Sequence, residues 1–199
     1  MIPELNTNTH NTNVIERPVR GFSSPLFALW LGMASIIMMF GSLTSAYIVR
    51  HAVGNWLEFK IPDIFFFSTA VILLSSLVLH LSYWAFRNGR PGLYRLALPL
   101  SLLLGIVFIV LQYKGWLALY SIGVALDGNP SGSFFYVISG IHAAHVLGGI
   151  FALSVATMNA FSLSYKASEK RRRRFQLVVH YWHFVDFLWL YLFIFLLIQ

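Results

Sequence analysis

Apolar residues fall in five long blocks, 26–49, 64–86, 96–119, 134–161 and 175–198, and the polar residues gather mostly between them. Each block has the ~20 residues that a helix rising 1.5 Å per residue needs to cross a hydrocarbon core of ~30 Å. The pattern therefore predicts an all-α, polytopic transmembrane bundle of five helices over 26–199, with a polar tail at 1–25. The tail is rich in Asn and Thr and has no apolar stretch of the kind a secretory signal carries. Arg87-Asn88-Gly89-Arg90-Pro91-Gly92 and Asp127-Gly128-Asn129-Pro130-Ser131-Gly132 read as breaks between helices. Lys114 comes late in the third block, where its long stem can carry the charge to the surface. Pro99 sits in that block's first turn, where its missing N–H costs little. Trp30, Tyr47, Trp56, Trp84 and Trp116 lie near block ends, as interfacial aromatic belts do.

Composition sharpens this reading. Hydrophobic residues make up 58% of the 199 and charged residues 11%, against about 25% charged in a soluble domain. The formal net charge of +7 would point to nucleic acid on a soluble chain; here the cations separate apolar blocks, so they report topology. With the N-terminus inside, Arg17, Arg20, Arg87, Arg90, Arg95, Lys166, Lys170, Arg171, Arg172, Arg173 and Arg174 face the inner side. Only Arg50, Lys60 and Lys114 fall outside. That bias predicts an inside N-terminus and an outside C-terminus. The run Lys170, Arg171, Arg172, Arg173 and Arg174 is also a candidate contact for anionic lipid headgroups. The absence of cysteine removes thiolate metal sites and cysteine nucleophiles.

Few ionisable groups lie inside the blocks. A charge at a helix centre costs ~2.5–3.5 kcal/mol on insertion scales, so such groups normally face protein or water. His142 and His145 share a face of the fourth helix, and His180, His183 and Asp186 share one on the fifth. His80 stands alone in the second. Counted along ideal antiparallel helices, Asp186 lies level with His142 and His183 with His145, each ~12–17 Å from a block end. Gly140, Ala143, Ala144, Gly148 and Gly149 are small enough to let those helices close up. An Asp186–His142 hydrogen bond is therefore expected. The set His142, His145, His183 and Asp186 reads as a structural polar cluster, with two further readings open: haem or metal ligation by histidines, and a proton relay. A carboxylate-rich metal site is excluded, since no Glu-x-x-His pair occurs. No nucleophile elbow, zinc-protease motif or phosphate loop is present.

At these residues the chain resembles subunit III of the haem–copper terminal oxidases, the cytochrome c and quinol oxidases. The run Tyr181-Trp182-His183-Phe184-Val185-Asp186-Phe187-Leu188-Trp189-Leu190 is similar to that family's closing helix, and Gly140 to Val146 to its Gly-x-His-x-x-His-Val helix. Leu104-Gly105 with Leu111-Gln112, and Ser133-Phe134-Phe135, resemble the preceding helix and the start of the next. Longer members have seven helices, of which this chain resembles the last five. Many carry a buried Glu in the first of those five; the matching positions here read Met39-Phe40. A second family Glu, after Leu-Gln, is Gly115 here. The resemblance implies a component of an oxidoreductase complex with no catalytic residue and no metal of its own. Haems and copper would sit in subunits I and II. This chain would pack on the catalytic subunit in a bacterial inner membrane, hold phospholipid and support sustained proton uptake. Further small subunits or a respiratory supercomplex are possible partners, and nucleic acid is not. The alternative is a small membrane b-type cytochrome with its own histidine-ligated haem.

Overall fold

The computed structural model describes residues 24–162, 165 and 168–198; most of the expected polar tail, with Arg17 and Arg20, lies outside them, as does Lys166. Five helices follow one another: α1 (Ser24–Ala52), α2 (Ile64–Arg87), α3 (Pro91–Ser121), α4 (Pro130–Ser162) and α5 (Glu169–Ile198). All five are long and apolar enough to cross a membrane. A helix is the form such segments must take, because hydrocarbon offers no partner to an unpaired backbone N–H or C=O.

The helices outrun the apolar blocks at several ends. α3 begins at Pro91 and α5 at Glu169, so the basic run 170–174 is helical. The α2–α3 link is tight because α2 stops on a left-handed glycine. Gly89 has φ +68°, the Arg90 amide donates to the Ala85 carbonyl at 3.0 Å, and Pro91 opens α3, where a missing N–H costs nothing. α3 ends the same way. Gly123 has φ +85°, its amide donates to Tyr120 and that of Val124 to Leu119, both at 3.1 Å.

α2 and α3 form the most extensive pair. α3 also packs on α4, and α5 contacts α2, α4 and α1. α1 touches only α4 and α5 among the described residues, through one stripe of Met33, Phe40, Thr44 and Tyr47. Only 11% of its apolar window is buried, against 33–44% for the other four, so α1 lies against the bundle rather than within it.

The helices are tied by small polar and aromatic side chains. Ser75 donates to the Ser101 carbonyl (2.8 Å), Gln112 to Ser68 Oγ (3.2 Å), Trp116 Nε1 to Ser139 Oγ (3.0 Å) and Trp189 Nε1 to Thr69 Oγ1 (2.9 Å). Tyr181 OH donates to the His145 carbonyl (3.1 Å), and Thr44 shares a hydrogen bond with Tyr191 (3.0 Å). Together these join every neighbouring pair except α1–α4, at about 0.6 kcal/mol each by membrane-protein precedent.

Candidate functional site

Trp182 sets the spacing of the bundle's middle. Its indole is buried in a slot where Gly105 of α3 and Gly149 of α4 face it; a Cβ on either would lie 2.7–2.8 Å from ring carbons. Of the small residues expected to draw α4 and α5 together, Gly149 does so, Ala143 is buried, and Gly140 has nothing within 4 Å of where a Cβ would stand. Ala144 is exposed, and Gly148, also exposed, has the Tyr181 hydroxyl of α5 3.7 Å from where a Cβ would stand.

His142 is 1% exposed and packed among aromatic rings: Trp189 at 4.9 Å, Phe108 at 6.2 Å and Phe40 at 6.4 Å between centroids. Phe40 also lies 5.8 Å from His145, so at Met39-Phe40, the positions that the resemblance matches to a buried Glu, a ring packs against both histidines. At Gly115, which the resemblance matches to a second Glu, the Phe65 ring lies 2.6 Å from where a Cβ would stand. His145 donates through Nδ1 to the Ile141 carbonyl at 2.8 Å.

The hydrogen bond expected between Asp186 and His142 is not formed. Neither ring nitrogen of His142 and neither carboxylate oxygen of Asp186 has a hydrogen-bond partner. The reason is rotational. Level depth on two helices does not turn two side chains toward each other, and Asp186 is directed to α2, where the Ser76 hydroxyl is its polar neighbour. That hydroxyl is hydrogen-bonded to His183 Nδ1, and the His183 ring lies 5.8 Å from that of His80. The four residues thus stand as two pairs, His142 with His145 against α1 and the α5 aromatics, and His183 with Asp186 against α2. No hydrogen bond or ring contact joins the pairs. Sequence spacing missed Ser76 and His80 because both sit on a different helix.

The haem-ligating alternative finds no support in this packing. Aromatic rings occupy the space around His142, and Ser76 engages His183. Among the described residues no group of three or more His, Asp or Glu is placed to hold a metal ion.

A second feature lies at the basic end of α4 and α5. A groove of about 640 Å³ is walled by Tyr94, Ala152, Val155, Ala156, Phe175 and Val178 and rimmed by Asn159, Ser168, Lys170, Arg171 and Arg174. Arg171 donates to the Asn159 carbonyl at 2.8 Å, which holds that cation at the rim. Arg172 and Arg173 do not line the groove, and Arg173 instead faces Glu169 at 3.9 Å in an exposed pair. The basic run is thus divided by helix geometry into three rim residues and two outside.

Five membrane-length helices, tied to one another by interhelical hydrogen bonds, define an integral membrane protein. Comparison with known proteins makes this specific. The family model for cytochrome c oxidase subunit III matches residues 51–199. Cytochrome c oxidase subunit 3 of Corynebacterium diphtheriae is 30% identical over 166 residues, 79% of this chain and 80% of the relative. The probable subunit 3 of Nocardia farcinica is 29% identical over 175 residues, 83% of this chain and 82% of the relative. That of Rickettsia bellii is 31% identical over 163 residues, 79% of this chain and 57% of the relative. This chain belongs to the cytochrome c oxidase subunit III family.

Proposed function

We propose that the chain is the non-catalytic third subunit of a respiratory haem–copper oxidase in a bacterial inner membrane. It packs on the catalytic subunit, with haems and copper in subunits I and II, and keeps that subunit's lipid surroundings and proton entrance in order during turnover. Family membership carries the assignment. The groove supports the lipid role: three cations rim an apolar trough, so a phosphate-bearing headgroup meets charge while an acyl chain meets Ala152, Val155 and Val178. The distribution of Lys and Arg supports an inside N-terminus, with the rim of the groove on the inner side.

The aromatic filling at Phe40 supports a supporting role over a relay within this chain. The carboxyl that longer members place there is absent, and the two remaining polar pairs do not connect. The test is oxygen consumption against time for the oxidase with and without this chain. Haem spectra and initial rates should be retained and activity should decay faster without it. Immediate loss of the haem–copper spectrum, or an unchanged decay and proton uptake, would refute the reading. For the groove, Lys170→Gln with Arg174→Gln should lower the phospholipid retained by the purified complex.

A further inference from the structure

One strip of the bundle surface is chemically unlike the rest. On the outward side of α2 and α5, His80 is exposed and His180 and His183 are half-buried. His180 Nδ1 is bonded to the Gln176 carbonyl (2.7 Å) and His183 Nδ1 to Ser76. The Nε2 atoms of these two and both nitrogens of His80 have no hydrogen-bond partner among the described residues. Along their helices the three stand ~9–14 Å inward from the nearest cations, Arg87 and Arg174. An imidazole on one methylene cannot snorkel that far, as Lys or Arg can. The outward side of α3, by contrast, shows only Leu96, Leu100, Leu103, Ile106, Val107 and Val110 over the same stretch.

Hydrocarbon would leave these imidazole nitrogens unpaired, a cost that membrane proteins avoid by turning such groups to protein. We propose that this α2–α5 imidazole face seats a membrane-spanning helix of the catalytic subunit that presents a hydroxyl, amide or carboxyl side chain at the depth of His80 and His183. The reading rests on the chain's place in the oxidase and adds which face makes the contact. Leu77 and Trp84, one turn to either side of His80 and both exposed, supply the apolar flanks of such a seat. His183, tied to Ser76 on one side, is pre-positioned to present its other nitrogen, which reduces the ordering cost of the contact.

A photoreactive amino acid at Leu77, in the intact complex, should crosslink to the catalytic subunit, while the same probe at Leu103 on α3 should not. In parallel, His80→Leu should lower the share of chain retained on the complex after a detergent wash by about threefold, the equivalent of one lost hydrogen bond at the interface. The thermal unfolding of the isolated His80→Leu chain should match that of the unaltered one, since His80 is exposed. Crosslinking to lipid from Leu77, or to the catalytic subunit from Leu103 and not from Leu77, would overturn the face while leaving the oxidase assignment intact. Failure of the unaltered chain to co-purify with oxidase subunits would remove that assignment, and this face with it.

Discussion

Trp182 stands between two glycines that admit no side chain toward it, and Gly140 stands in open space on the same helix as one of them. Their alanine variants should therefore differ in sign. Gly149→Ala puts a Cβ 2.8 Å from a buried indole that cannot retreat, so the isolated chain should lose about 1–3 kcal/mol of stability. Gly140→Ala meets nothing and removes backbone freedom from the unfolded chain, so it should be neutral or stabilise by about 0.5–1 kcal/mol. Thermal unfolding in one detergent checks both; equal losses would show that the slot is not a constraint. The motif containing Trp182 and the small residues Gly105 and Gly149 were each visible in the sequence, but that both glycines face this one indole was not. Likewise His142 and Asp186 could be placed at one depth from residue counts, yet the direction of each side chain depends on how far its helix is rotated in the bundle.

At the scale of elements, Asn129, in a stretch that the sequence showed only as a break, joins two loops. Its Oδ1 accepts from the Ser131 amide at 3.0 Å, capping α4 ahead of Pro130, and from the Leu57 amide at 3.2 Å; its Nδ2 donates to the Asn55 carbonyl at 3.3 Å. One side chain thus caps a helix and fastens the α1–α2 loop to it. Asn129→Ala should cost about 1–2 kcal/mol from the lost cap and the unpaired backbone groups. Hydrogen exchange should rise at the Leu57 and Ser131 amides while the α2–α3 core stays protected. Unchanged exchange at Leu57 would mean that the loops hold together without this residue. Helix ends were less legible than helix middles. Hydropathy marks where hydrocarbon begins, whereas hydrogen bonding carries α5 back through its charged turns to Glu169.

Across the whole molecule, cations are unevenly placed, and the groove rim Lys170, Arg171 and Arg174 lies at the end that carries most of them. Reporter fusions after Lys170 and at Gln199 should report opposite sides of the membrane, the first inside. The same side for both would contradict five crossings. The loose attachment of α1, with its exposed Leu31, Ile37 and Met38, leaves a flank on which lipid or a neighbouring helix can lie without polar penalty.

The number of helices and their approximate spans follow from the sequence alone, because crossing ~30 Å of hydrocarbon demands a run of apolar residues that nothing else in a chain imitates. Sequence motifs likewise carried the family resemblance, since the Tyr181–Leu190 run is contiguous and keeps its order whatever the packing. Tertiary structure alone decided the partners of the buried polar groups. Apolar helices can turn about their axes with little change in what lipid sees, so depth is encoded locally while rotation is fixed by interlocking shapes such as Trp182 between Gly105 and Gly149. That rotation turns His183 and Asp186 to Ser76, encloses His142 in rings and leaves His80 on the outside.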